Sequence, residues 1–369
     1  MDDSDVKQDL RELIANIREK LLSLPADGAI RTALTSEKID ELAKRIEKHT
    51  PADLEWDKWP PLALFIYRRS ISKVFALEND IALVFRHSSR KNQKNILDGL
   101  QAQSSTKRWE GKWAGSLFEI FAKSLCLKER GLAVGLDYLL PNSSDTDIRM
   151  EMGGKRFHLE CTVLTDSDED REVWERFIEA KKEDPEICLT RPGQFDPPKP
   201  KGPSPYYDCL RVYDKVYDKI AKELDLSKSQ LSEDAPNILL ISFFSPYRHL
   251  SPTSPGVGWA LDELFADQPK ICADHPSFRN ISLLAWLTFT EKRLRQSSVT
   301  LNPANDSQWF NKVIAAPRKI GAILLFDRFS LKASRVNYNA KQECRISHHE
   351  MAKFEELFWV PPEWESGTL

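Results

Sequence analysis

The stretch Asp145-Thr146-Asp147-Ile148-Arg149-Met150-Glu151-Met152-Gly153-Gly154-Lys155-Arg156-Phe157-His158-Leu159-Glu160-Cys161-Thr162-Val163-Leu164 decides the fold. Two strand-like runs flank Gly153-Gly154, and a Gly-Gly pair between such runs is a strong short-range hairpin signal. Strands are therefore expected over 146–152 and 155–164. Side chains alternate along a strand, so Phe157, Leu159, Cys161 and Val163 share one face and His158, Glu160 and Thr162 the other. The turn folds Asp147 back beside the strand that carries Glu160. Asp145 faces the same way as Asp147 and is an alternative for the same role.

Working outward, Gly111–Arg130 reads as a helix with Leu117, Phe118, Phe121, Leu125 and Leu127 inward, Glu119 in its middle, and Gly131 as its C-cap. Leu132–Leu140 reads as a strand and Pro141-Asn142-Ser143-Ser144 as a turn. Beyond the hairpin, the segment 184–205 holds seven prolines and reads as an insertion. Tyr207–Leu226 is periodic as a helix, with Lys215 and Lys219 on its flanking rows. Asn237–Phe244, Ile281–Thr290 and Ile320–Phe326 are unbroken apolar runs suited to buried strands. His349–Phe358 is a last helix. Toward the N-terminus, 5–23, 36–48 and 62–77 carry helical periodicity, with a further N-cap signal at Thr50–Asp53. The chain thus divides into a helical N-terminal region, 1–105, a mixed α/β region, 106–345, and a terminal helix and tail, 346–369. The fold class is α/β (α+β).

Two carboxylates on adjacent strands, with a third from a packed helix, are hard oxygen ligands of the kind Mg²⁺ takes. A cation so held stabilises charge on a phosphodiester and acidifies a bound water. The pattern Glu119…Asp147-Ile148…His158-Leu159-Glu160-Cys161-Thr162 resembles the PD-(D/E)xK nuclease superfamily, the restriction-endonuclease-like fold. The resemblance covers about 111–245 and implies an αβββαβ core with added C-terminal strands. It implies Mg²⁺ or Mn²⁺ held by Asp147, Glu160 and Glu119, and nucleic acid, DNA rather than RNA, as partner. It implies a nuclease working as a homodimer or in a larger complex, with bacterial defence as its setting. One position departs from the family: Thr162 stands where the motif has Lys. Its hydroxyl can bond a water, but the cation must come from elsewhere, and Lys215 or Lys219 is implied for that role. The competing function is a catalytically degenerate nuclease fold, kept for nucleic-acid binding or as an assembly subunit. Any single one of these carboxylates is also consistent with an ordinary solvated or salt-bridged side chain.

The charge balance of 53 Lys+Arg against 56 Asp+Glu, a net of −3, does not advertise a nucleic-acid binder. That average conceals a basic segment. Arg86, Arg90, Lys91, Lys94, Lys107, Arg108 and Lys112 are opposed between them only by Asp98 and Glu110, a local net of +5. It can supply phosphate contacts, or be a solvated linker. The six cysteines form no C-x-x-C pair and sit near no histidine cluster, which argues against a zinc site. The apolar runs are shorter than the roughly 18 residues needed to span a bilayer, and the acidic start shows no signal-peptide h-region. No membrane partner and a cytoplasmic location are expected.

Overall fold

The computed structural model describes residues 3–48, 60–102, 109–166, 172, 176–177, 179–180, 205–220, 229–244, 250–265 and 315–365. The expected N-cap at Thr50–Asp53, the Pro-rich insertion up to residue 204, the expected strand at 281–290, and Lys107 and Arg108 lie outside the described residues. Contacts divide the chain into two units, Met1–Asp137 with Val360–Leu369, and Tyr138–Trp359.

The first unit holds seven helices among its described residues: α1 (Asp3–Ser23), α2 (Ala29–Ala33), α3 (Ser36–Lys48), α4 (Pro61–Arg68), α5 (Ile71–His87), α6 (Arg90–Leu100) and α7 (Trp109–Lys128). The helical spacing of Leu10, Leu13, Ile14, Ile17 and Leu21 buries one face of α1, and Ile39, Leu42 and Ile46 do the same for α3. The single helix expected over 62–77 is in fact two. Arg69 and Ser70 are extended, with ψ of 149° and 155°. The carbonyls left open where α4 stops are taken by a distant ammonium: Lys20 Nζ donates to the carbonyls of Ile66 and Tyr67 at 3.0 Å and of Arg69 at 2.7 Å. Glu78 of α5 plays the matching part at the start of α2, accepting from the amides of Ala29 at 2.8 Å and Ile30 at 2.9 Å.

The division of the chain falls after Asp137, not near residue 105. Helix α7 packs on α5 and α6, and the approach to α6 is close at Gly99, where a Cβ would lie 2.9 Å from the carbonyl of Lys112. The tail is also placed differently from expectation. The last helix, α10 (His348–Phe358), belongs to the second unit, while the residues from Val360 onward belong to the first. Trp364 is fully buried there, donates from Nε1 to Asp80 at 3.1 Å and meets the Phe65 ring edge-on at 6.1 Å. Asp80 also pairs with Lys128, and Glu365 pairs with Arg69 at 2.9 Å.

The sheet is six-stranded and mixed, in the order β1 (Ala133–Leu139), β2 (Asp145–Met152), β3 (Lys155–Leu164), β4 (Asn237–Phe243), β5 (Ile320–Asp327), β6 (Ser330–Val336). Gly153 and Gly154 have φ of +61° and +77°, the left-handed pair that a two-residue hairpin turn between β2 and β3 requires. β3 runs parallel to β4, and β4 to β5. Parallel neighbours need crossovers. Helix α8 (Pro205–Ile220) lies in the first of these and α9 (Pro255–Leu264) in the second. Both pack on one face of the sheet, against Leu164, Leu239, Ile241, Phe243, Ile323 and Leu325. Helix α10 covers the other face through Phe354 on Phe157 and Phe358 on Phe326, both edge-on. Covered on both faces, β4 is apolar almost throughout and wholly buried. β1 and β6 are the edge strands, and β6, half-buried and polar, lacks the alternation that would announce it in the sequence.

Because Trp364 fills the core of the first unit from the far end of the chain, Trp364→Ala is expected to lower the unfolding free energy by about 3–5 kcal/mol in denaturant titration. A change below about 1 kcal/mol would show that the tail does not close that core.

Candidate active site

The β2–β3 ladder pairs Ile148 with Leu159 and runs from there to the turn. At the next position, in the direction away from the turn, side chains take over from the backbone. The amide of Asp147 donates to Glu160 Oε1 at 3.1 Å, and the amide of Cys161 donates to Asp147 Oδ2 at 2.7 Å. Asp147 and Glu160 thus each hold the other's strand through a carboxylate. Glu160 lies on the face that α8 covers, beside Leu239 of β4 in register. From α8, 59 residues downstream, Lys219 Nζ donates to Glu160 Oε2 at 2.9 Å and lies 3.9 Å from Asp147 Oδ2. Pairing, parallel crossover and helix phase bring the three side chains together.

Glu160 is wholly buried, whereas Asp147 keeps 23% of its side chain open, so the site is reached from the Asp147 side. Burial, with Asp147 adding to it, pushes the Glu160 carboxyl well above the usual carboxylate range, against the pull of Lys219. Burial lowers the pKa of the Lys219 ammonium, but Glu160 and Asp147 outweigh that and hold it protonated. A second negative charge beside Asp147 is costly in this poorly hydrated place, which is why the Glu160 carboxyl holds its proton to higher pH, and a bound cation would relieve that cost. That donor set suits a hard divalent cation, which takes one or two carboxylates and completes its shell with water and substrate oxygens. Among the described residues no group of three or more His, Cys, Asp or Glu side chains is gathered so that it could hold a metal ion.

Glu119 lies on α7. It belongs to the first unit, where its Oε1 accepts from Lys123 Nζ at 2.6 Å and from Asn92 Nδ2 at 2.7 Å. Lys123, fully buried, also donates to Asp137 Oδ1 at 2.6 Å, and Asn92 to the same oxygen at 2.7 Å. Asp137 takes the left-handed conformation, φ +51°, and its other oxygen accepts from the amide of Ser89 at 2.9 Å. Sequence reasoning missed Asn92, Lys123 and Asp137. The i, i+4 spacing of Glu119 and Lys123 was there to be read, whereas nothing local marks Asp137.

The remaining candidates are placed as follows. Thr162 is half-buried on the Glu160 face of β3, paired in register with Ile241. Lys215 is half-buried on α8, one turn before Lys219. Asp145 is exposed at the first residue of β2. Of the basic segment, Arg86 lies exposed in the last turn of α5, Arg90, Lys91 and Lys94 are exposed on α6, and Lys112 is exposed on α7. This part of the segment is helical, not a linker.

Comparison of the chain with protein-family models, with curated proteins and with solved structures found no match.

Lys219→Met leaves Glu160 buried without its cation and is expected to lower stability by about 3 kcal/mol, the lower end of the range for breaking a buried pair, because Lys219 is partly open to solvent. The double variant Lys219→Met/Glu160→Leu should recover most of that loss in the same denaturation experiment. A single variant as stable as the parent would contradict the ion pair.

Proposed function

We propose that this protein is a nuclease of the PD-(D/E)xK kind, hydrolysing phosphodiester bonds of nucleic acid, DNA in the first instance, with Mg²⁺ or Mn²⁺ held by Asp147 and Glu160. The observation that carries the reading is the meeting of Asp147, Glu160 and Lys219 at the point where side chains replace the β2–β3 ladder. The chain order α7, β1, β2, β3, α8, β4, with β3 parallel to β4, supports the restriction-endonuclease-like core. The two carboxyl groups brought together at the pair, one of them open to solvent, support the cation.

In this reading Lys219 supplies the cation that the motif places two residues after Glu160, where this chain has Thr162. Its Nζ, kept protonated by the two carboxylates, offsets the charge that develops on the phosphate as the bond breaks. Asp147, the more open of the pair, and Glu160 orient the site through the two backbone amides they accept from. Thr162, on the same face, can hold a water by its hydroxyl. A bound divalent cation would supply Lewis-acid neutralisation of the phosphate and a more acidic water. Arg86, Arg90, Lys91, Lys94 and Lys112, exposed on helices of the first unit, would bind nucleic-acid phosphates in a salt-sensitive way on that unit. A host-defence setting and a dimeric or larger assembly remain part of the same proposal.

A second reading has one observation in its favour. Glu160 Oε2 is already engaged by Lys219, as in a structural ion pair. A nuclease fold retained for binding would look like this.

The purified chain is incubated with plasmid, single-stranded DNA and RNA in Mg²⁺, Mn²⁺ or EDTA. Cleavage is expected with metal and not with EDTA. Asp147→Asn and Glu160→Gln are each expected to reduce it by at least about a hundredfold, and Lys219→Met by a similar factor. Salt-sensitive binding with no cleavage in any metal would leave the binding module.

A further inference from the structure

Two residues from the Asp147–Glu160 pair, on the same face of the hairpin, stands a cluster that the proposed chemistry does not use. Arg149 is the register partner of His158. Its guanidinium carbon lies 4.4 Å from the centre of the Tyr138 ring, and the His158 ring is 6.0 Å from that of Tyr138. Tyr138 keeps 36% of its surface open and the Arg149 side chain 25%. Glu151 is shared by two arginines, accepting from Arg149 at 3.1 Å and lying 3.8 Å from Arg156. Asp234 also acts on Arg156 and His158, so the two arginines and the two carboxylates of the cluster balance. His158 is 2% exposed, and its Nδ1 has no hydrogen-bond partner among the described residues.

A guanidinium laid on an aromatic ring is held in place at small entropic cost and still presents N–H edges to an anion. Open aromatic and guanidinium planes stack nucleobases when those bases are not buried in a duplex. Two residues along a strand span about 7 Å, so a group bound here sits roughly one nucleotide from a phosphate at Asp147 and Glu160. In a duplex, stacking neighbours already cover the base faces, and this arrangement would go unused.

We propose that Tyr138 and Arg149 form a nucleotide subsite adjoining the carboxylate pair, and that the strand it takes is single-stranded. Arg149 contacts the phosphate next to the scissile one, and Tyr138 offers its ring to the attached base. This inference rests on the reading of the carboxylate pair as the hydrolytic site, and its test separates the two.

Binding of a labelled single-stranded DNA oligonucleotide and of its duplex to the full chain is measured across a salt series, with Ca²⁺ in place of Mg²⁺. The single strand is expected to bind more tightly. Arg149→Ala should weaken it about tenfold or more and reduce the slope of log affinity against log salt by about 0.7, the value for one phosphate on a single strand. Tyr138→Leu should weaken it by a similar factor with the slope unchanged, which separates stacking from charge. Arg149→Lys, which keeps the charge but not the plane, should restore the slope and not the affinity. If Arg149→Ala and Tyr138→Leu each leave affinity within about twofold while the parent cleaves DNA, the subsite is overturned and the nuclease reading stands. If binding falls in both variants but the parent never cleaves, the subsite stands and hydrolysis does not. Equal affinity for duplex and single strand overturns the strand assignment, and no binding by the parent overturns both proposals.

Discussion

Glu160 has lost its water, and the arrangement of the second unit around it follows from that. A buried carboxylate is costly unless a partner of opposite charge and a full set of donors replace the solvent. Here the partners come from three segments: the amide of Asp147 on β2, the ammonium of Lys219 on α8, and the neighbourhood of Leu239 on β4, which excludes water. The pair constrains the rotation of α8 on the sheet, because Lys219 reaches Glu160 only with that row of the helix turned inward. It also explains why the β2–β3 ladder gives way at this position, since the amides that would continue it are taken by carboxylates. A fold that optimised stability alone could replace the pair with apolar side chains at little cost. Keeping it is a feature that function explains more readily than packing does.

The first unit uses the same device three times. Lys20 closes the end of α4, Glu78 opens α2, and Lys123 joins Glu119 to Asp137. Lys20 and Glu78 are charged groups supplied from distant elements to backbone groups that would otherwise be buried without partners, and Lys123 ties its own helix to the following strand. Trp364 and Glu365 add a tie from the end of the chain. These contacts set helix ends that propensity does not.

Much of the sheet was legible in the sequence. The alternation on either side of Gly153-Gly154 and the apolar runs at 237–243 and 320–326 each reflect a single physical demand, one or two buried faces over a short span. The site was legible in part. Asp147 and Glu160 follow from the hairpin register, but Lys215 and Lys219 are one helical turn apart and lie on the same row, so periodicity cannot choose between them. The depth of the helix along the sheet decides, and that is a tertiary quantity. The break at Arg69 and Ser70 has no Pro or Gly to mark it, and the carbonyls it leaves open are met by Lys20, 49 residues earlier in the chain. Glu119 reads equally well as a ligand or as half of an i, i+4 pair with Lys123, and its partners in the first unit are those of the second description.

The proposed hydrolytic site requires Asp147 and Glu160 to hold a divalent cation beside Lys219. Titration of the metal-free protein with Mn²⁺, followed by electron paramagnetic resonance of the free ion, tests it most directly. One site per chain is expected in the parent and in Glu119→Gln, lost in Asp147→Asn and in Glu160→Gln. A site that survives Asp147→Asn undiminished, or a parent that takes up no Mn²⁺, would contradict it.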